Sequence, residues 1–406
     1  MNIIADNSIR TELKKLGQEV TQELIRLLNY WANETRDEKN GGFIGQIDHF
    51  GNINEKATKG MVLNARILWT FSSAYRVTGK KSYEKLADVA YHYLMQNFWD
   101  KEEGGFYWSV DYLGAVENSR KQAYAQGFGV YGLAEYHRAT GHQEALEYAK
   151  ELYFIIEEKY WDKDFGGYIE ALGKDWQNLE DMRLSDKDAN MPKSMNTHLH
   201  LLEPYACLYR VWPNHSLKAS IKSLLHIFQD KIIDKKSGHF NLFFEMDWTI
   251  KSKAISFGHD IEGAWLMHEA AELIDDEELL INIQKTALNL VDITIKEGCD
   301  TDGALFNEQE EHHLDSDKHW WPQAEAMVGL VDAWQINGNT AYLISMEKIW
   351  KFIKDKLIDK GHGEWYWRVD KNGDPITCED KVGFWKCPYH NGRALMEVSE
   401  RINRCK

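Results

Sequence analysis

One short pattern recurs along this chain and restricts its fold more than any other feature. It is an aspartate, a few polar residues, a glycine, then an aromatic residue. It reads DEKNGGF from Asp37, DKEEGGF from Asp100, DKDFGGY from Asp162, DKKSGHF from Asp234, DTDGALF from Asp300 and DKGHGEWYW from Asp359. The marker glycines Gly41, Gly104, Gly166, Gly238, Gly303 and Gly363 are 63, 62, 72, 65 and 60 residues apart. An aspartate opens a turn and a glycine permits positive φ within it. The residues that follow, such as FYWSV after Gly105, alternate like a short strand. Self-similarity at a near-constant spacing is the mark of a repeated structural unit.

Each pattern lies between two helical segments of different character. In the preceding segment SYEKLADVAYHYLMQNFW, Leu86, Val89, Ala90, Tyr93 and Leu94 share one face. In QEALEYAKELYFIIEEKYW, Ala145, Tyr148, Ala149, Leu152 and Ile156 do the same. These read as outer helices with one wet face. The following segments, among them MVLNARILWTFSSAY and QAEAMVGLVDAW, are apolar on most faces, as buried helices are. Links such as Thr78-Gly79-Lys80 lead to the next outer helix. Six units in a closed ring make an all-α (α/α)6 barrel of six helical hairpins with short β-loops at one end. An open solenoid needs polar capping repeats, whereas the first helix, Ile9 to Trp31, is as amphipathic as the rest. With 6 prolines and no Pro/Ser-rich linker, residues 1–406 read as one domain.

Charge and cysteine usage narrow the partners. The net charge of −16 repels phosphate backbones, so nucleic acid is not expected. The 5 cysteines (Cys207, Cys299, Cys378, Cys387, Cys405) form no C-x-x-C pair and fit a reducing compartment. The N-terminal stretch has no apolar signal core, and no apolar run is long enough for a membrane span. A cytoplasmic monomer that contacts no membrane is expected. The 16 tryptophans suit stacking on sugar rings.

Polar residues interrupt the buried helices at matched places. Arg66, His200, Glu262 and Glu325 each lie nine residues before Tyr75, Tyr209, Ala271 and Trp334, near the starts of their helices. In a closed ring these positions converge on one mouth. Asn196, His259 and Trp321 lie one turn earlier on the same faces, and His390 opens the last inner helix. Buried polar groups are costly unless paired or used.

Three chemistries fit such a set. A metal site is disfavoured: there is no H-E-x-x-H, and His198 and His200, two residues apart, point away from each other. A glycosidase could use Glu262 and Glu325, but has less need of the surrounding histidines and arginine. Proton transfer beside a carbonyl needs two bases near neutral pKa on opposite faces of a carbon, with cationic donors on the enediolate oxygens. His259, His390, His200 and Arg66 supply that set. No Gly-rich nucleotide motif is present and no cofactor is required.

At these residues the chain resembles the N-acylglucosamine 2-epimerase superfamily, especially its disaccharide-converting members. The segments that carry the resemblance are KGMVLNAR, DANMPKSMNTHLHLLEPYA, SFGHDIEGAWL, KHWWPQAEAMVGL and WKCPYHNGRA. It spans about residues 10 to 400. It implies an (α/α)6 barrel and inversion of C2 in the reducing-end glucose of a β-1,4-linked disaccharide, turning cellobiose into glucosyl-mannose and lactose into epilactose. By the resemblance, His259 and His390 are the acid/base pair, His200 and Arg66 hold O1 and O2 and assist ring opening, and Glu262 orients or tunes His259. Trp321 and Glu325 line the reducing-end subsite and Trp385 stacks on a sugar. Tyr124, Asp188, Asn196 and Trp265 contact substrate. N-acylglucosamine epimerases and mannose isomerases of the same superfamily share the enediolate and stay open as alternatives.

Overall fold

A computed structural model describes residues 7–404, so Cys405 lies outside the described residues. Twelve α-helices alternate between an outer and an inner layer. The outer ones are α1 (Asn7–Glu34), α3 (Lys81–Asn97), α5 (Gln143–Lys159), α7 (His215–Ile227), α9 (Glu277–Gly298) and α11 (Ala341–Phe352). The inner ones are α2 (Met61–Thr78), α4 (Ala123–Thr140), α6 (Met195–Val211), α8 (Phe257–Leu273), α10 (Trp320–Asn337) and α12 (Tyr389–Arg404). As the apolar pattern requires, inner helices are buried all round over most of their length; in α2 every residue from Met61 to Ala74 is buried. The outer helix α5 buries one stripe, Ala145, Leu146, Ala149, Leu152, Tyr153 and Ile156.

The inner helices pack in sequence order around a ring, and α12 returns to α2, so the barrel closes. The spatial hairpin is inner helix, short link, outer helix: α2 packs on α3, α4 on α5, α8 on α9. This shifts the sequence unit by one helix, and α1 pairs with α12, the last helix of the chain. Short strands repeat the closure. The residues just before each inner helix pair antiparallel with the β-loop of the next unit: Lys59–Gly60 with Ser109–Val110, Lys121–Gln122 with Ala171–Leu172, and Lys193–Ser194 with Phe243–Phe244. Ala254–Ser256 and Lys318–His319 do the same with Glu308–Glu310 and Arg368–Val369. The last link joins Ile47 to Val382, the first unit to the sixth.

All six marker glycines have positive φ, as the turn pattern demands. The marker aspartates have a partner that the pattern did not reveal. Lys59, Lys121, Lys193, Lys318 and Lys381 are buried, and their Nζ atoms lie 2.7, 2.9, 2.6, 2.7 and 2.9 Å from Asp37, Asp100, Asp162, Asp300 and Asp359. Four of these lysines stand two residues before their inner helix. The pair ties each β-loop to the helix start it serves. In the fourth unit Ile255 takes the lysine position, and His239 instead contacts Asp260 at 2.7 Å.

The fourth residue of an inner helix completes the tie. Gln126 and Gln323 accept from the Phe106 and Leu305 amides at 2.7 and 2.8 Å, and Asp260 accepts from Phe240 at 2.9 Å. His198 is the equivalent residue of α6: Nε2 accepts from the Tyr168 amide at 2.9 Å, so Nδ1 donates to the Ser194 carbonyl at 2.7 Å. This histidine is a structural clamp, and the residue two further on faces the site.

Candidate active site

The sixth residues of the inner helices supply much of the site, except in α12, where the fifth, Arg393, reaches Glu203, Glu262 and Glu325. In order the sixth residues are Arg66, Phe128, His200, Glu262, Glu325 and Ala394. The four matched polar residues of the sequence therefore occupy the same position in four helices. Tyr124, Asn196, Trp321 and His390 are the second residues of α4, α6, α10 and α12, and His259 is the third of α8, so they form the tier nearer the mouth.

Arg66 is buried. It donates to the Tyr124 hydroxyl at 2.7 Å and stacks on Phe128 and Tyr389 at 4.3 and 4.6 Å. Its hydrogen-bond partner is thus a neutral phenol, and its Nε has none. A buried cation held by aromatic faces and not by a carboxylate keeps its charge available for an anionic intermediate.

His200 Nδ1 lies 3.1 Å from Glu203, and its Nε2 is 4.0 Å from Glu262. His390 Nδ1 lies 2.6 Å from Glu325 Oε1 and 3.8 Å from Glu262 Oε1. His259 is half-buried, and its Nδ1 meets the Ser256 hydroxyl at 2.7 Å. Trp321 lies against both His259 and His390, with its ring 4.7 and 5.6 Å from theirs. Burial, then His200, pushes the His259 pKa down; burial, then Arg66 and Arg393, pushes that of His390 far down. Both rings are neutral near pH 7 and able to accept a proton.

Beneath them lies a residue that the sequence reading did not single out. Arg393 Nη2 donates to Glu262 Oε1 at 2.6 Å and to Glu325 Oε1 at 2.7 Å, while Nη1 bonds Glu203 and the Tyr389 hydroxyl. Tyr389 donates to Glu203 at 2.6 Å. Burial would raise the Glu203 carboxyl, but Arg393, His200 and Tyr389 outweigh it and hold it at about 2. Glu262 and Glu325 are each pushed up to about 7, chiefly by burial. Glu203 and Arg393 lie three residues after His200 and His390, so helical spacing alone could have found them. Ser256 lies three residues before His259, directly before α8, so the same spacing could have found it.

Glu262 and Glu325 both meet Arg393. Glu262 was expected to orient His259; it contacts Arg393 and lies near His200 and His390, and Ser256 is the group that holds His259. Glu325 was expected to line the sugar subsite; its two oxygens are taken by His390, Arg393 and, at 3.2 Å, the Trp265 indole, so Trp265 also serves the cluster. Trp385 is half-buried at the mouth, 6.1 Å from Tyr124 and 5.9 Å from Trp108. Asn196 Oδ1 is buried without a partner, as a sugar-binding group would leave it. Asp188 lies in the loop before α6, where Ser185 donates to it at 2.7 Å; no hydrogen bond ties it to the histidines.

Among the described residues, Glu262, Glu325 and His390 come within 4.8 Å of one another, as metal ligands would. The Arg393 guanidinium already sits on both carboxylates and supplies the positive charge there. At the ring seam, His49, Asp359 and His362 are grouped likewise, with Lys381 on the carboxylate.

The arrangement offers two neutral imidazoles beside one indole, a buried guanidinium and a charged floor. Residues 42–394 match the model of the N-acylglucosamine 2-epimerase (GlcNAc 2-epimerase) family. The chain belongs to that family. A cellobiose 2-epimerase of Bacteroides fragilis is 45% identical over 386 residues, covering 94% of this chain and 98% of its own. Solved structures of cellobiose 2-epimerases from Bacillus thermoamylovorans and Spirochaeta thermophila are 37% and 36% identical. They cover 96% and 98% of this chain, and it covers 100% and 99% of theirs, with TM-scores of 0.92 and 0.93. Like other members of its family, the protein is a carbohydrate epimerase, an isomerase. No helix among the described residues is long and apolar enough to cross a membrane.

Proposed function

We propose that the protein inverts C2 of the reducing-end glucose of β-1,4-linked disaccharides such as cellobiose and lactose, without a cofactor. The observation that carries this reading is that His259 and His390 both lie against the Trp321 ring, at 4.7 and 5.6 Å. With the ring open, the aldehyde makes the C2 hydrogen weakly acidic. One histidine takes that proton, and the C–H electron pair moves into the C1–C2 bond as the carbonyl becomes an enediolate. Arg66 and His200 stabilise the oxygens, and the second histidine returns a proton to the other face. Trp321 and Trp385 give flat faces for two sugar rings. The names borne by the similar proteins above favour cellobiose as the substrate class.

A glycosidase reading is weaker. The Oε1 atoms of Glu262 and Glu325 both sit on one Arg393 nitrogen, at 2.6 and 2.7 Å. Glycosidases hold their two carboxyl groups about 5 Å apart or more, on either side of the scissile bond, and here Arg393 bridges the two instead. Incubation with lactose and with cellobiose in D2O tests the proposal. The expected product is the C2 epimer carrying deuterium at C2. Unchanged sugar in both incubations, or release of monosaccharides, would overturn it.

A further inference from the structure

The two histidines are backed by different groups, and the chemistry of a two-base reaction makes that difference consequential. After one turnover the first base holds an extra proton and the second has lost one, so each must be reset. His259 is half-buried at the mouth and backed by a hydroxyl, Ser256 Oγ, at 2.7 Å, so water can reset it. His390 is buried, walled by Trp320, Trp321 and Tyr389, and backed by Glu325 at 2.6 Å. A cationic imidazolium at His390 would face two fixed guanidiniums, Arg66 and Arg393.

The cluster around it is one proton short of neutrality. Three buried carboxylates, Glu203, Glu262 and Glu325, meet two buried guanidiniums, Arg66 and Arg393. Glu203 is fixed as the anion by Arg393, Tyr389 and His200. The missing proton is therefore held among His200, Glu262 and Glu325; the Oε1 atoms of the two latter carboxyls share Arg393 Nη2, and both are raised to about 7 by burial. Of the two, only Glu325 is within hydrogen-bond distance of His390.

We propose, on the footing of the two-histidine reading above, that Glu325 is the proton store for one face of the reaction and that His390 works as a neutral tautomeric relay. In the resting state Glu325 is the acid and donates to His390 Nδ1, and the ring carries its own hydrogen on Nε2. The enediolate electron pair forms the C2–H bond with the Nε2 hydrogen. The N–H pair remains on Nε2, and the Glu325 proton moves to Nδ1. His390 is neutral before and after, in opposite tautomers, and Glu325 becomes a carboxylate held by Arg393 Nη2 at 2.7 Å and Trp265 Nε1 at 3.2 Å. Abstraction from the opposite epimer runs the same transfers in reverse. Between turnovers a proton arriving at Nε2 restores the acid.

Glu325→Gln and Glu325→Asp separate this role from a merely structural one. Glutamine keeps the size and the hydrogen bond but carries no transferable proton; aspartate keeps the proton on a shorter arm. Each variant is incubated in D2O with each C2 epimer of the disaccharide. Glu325→Gln is expected to lose interconversion by about 100-fold or more, while His259 still washes deuterium into one epimer without converting it. That retained wash-in shows that the variant is folded. Glu325→Asp is expected to interconvert faster than Glu325→Gln. Interconversion by Glu325→Gln within tenfold of the parent, a rate for Glu325→Asp no higher than that for Glu325→Gln, or loss of wash-in from both epimers would overturn the relay. A parent enzyme that exchanges no C2 hydrogen would instead sink the epimerase reading itself.

Discussion

Glu203 and Arg393 stand three residues beyond the histidines on their own helices, and together they bind four of the groups that surround the reacting space. Arg393 forks between Glu203 on one side and the Glu262–Glu325 pair on the other. A lysine is a point charge without that fork, so Arg393→Lys should lower kcat by roughly 100-fold, the usual cost of a lost donor at such a site, with KM nearly unchanged. Steady-state kinetics on cellobiose checks this, and a change confined to KM would count against it. The pH profile has a calculable sign. His259 must be neutral to accept a proton, and burial lowers its pKa, so activity should persist below the ordinary histidine range of about 6.5. On the alkaline side, the buried Glu262–Glu325 pair gives up its proton as pH rises through about 7, facing Arg393, His390, Trp265 and Glu203. The kcat/KM profile should therefore fall there, and in Glu325→Gln that limb should shift or vanish. At this scale the sequence was partly readable: a charged residue in an apolar helix is conspicuous, so Arg66, His200, Glu262 and Glu325 could be found. What each one touches depends on which helices face each other across the ring, so the neighbours of Glu262, among them Arg393, could not be read from the sequence.

At the scale of one element, α6 is the irregular helix. Pro204 lies four residues after His200, so it removes the amide that would bond the His200 carbonyl. The helix departs from regular geometry at His200, with φ −88° and ψ 15°. The freed carbonyl leans on α4, where a Cβ at Gly127 would lie 2.3 Å from it. Pro204→Ala should restore the helix and stabilise the protein by up to about 3 kcal/mol while lowering kcat, because the His200 ring would turn from its place. A rise in Tm together with a fall in kcat is the expected result of calorimetry and kinetics; equal activity would show that the bend has no part in catalysis. The loops give a second test. Lys121 and Asp100 are both fully buried and paired at 2.9 Å. Lys121→Met leaves the buried Asp100 carboxylate with only the Glu102 and Glu103 amides and Tyr107, without a cation, and should cost about 3–5 kcal/mol in denaturant unfolding, with part recovered by adding Asp100→Asn. Helix type, order and the marker glycines were legible because burial has a period of its own. The lysines lay just outside the repeat pattern, and their meaning required seeing that an Asp far back in the chain folds over them.

Over the whole molecule, closure rests on contacts between the ends of the chain: α1 packs on α12, Thr21 Oγ1 lies 3.3 Å from Ser399 Oγ, and Ile47 pairs with Val382. Since every unit touches only its neighbours, where the ring is cut matters little. A circular permutant opened at Gly79, with residues 7 and 404 joined by a flexible linker, should unfold in one transition and keep most of its activity. Two separated transitions would show that the covalent order of the units, and not the ring, maintains cooperativity. The sequence could count six units, but which helix begins a hairpin depended on the return of α1 to α12. The strand pairings that link each unit to the next have one more consequence. They act as a hoop, and below them Trp69, Tyr131 and Tyr389 close the floor with ring contacts of 5.0 and 5.7 Å. A site ringed by linked loops and closed below by aromatic rings would admit the tip of a glucan and not its middle. Under the proposed activity, a longer cello-oligosaccharide should then acquire one mannose per chain, whatever its length.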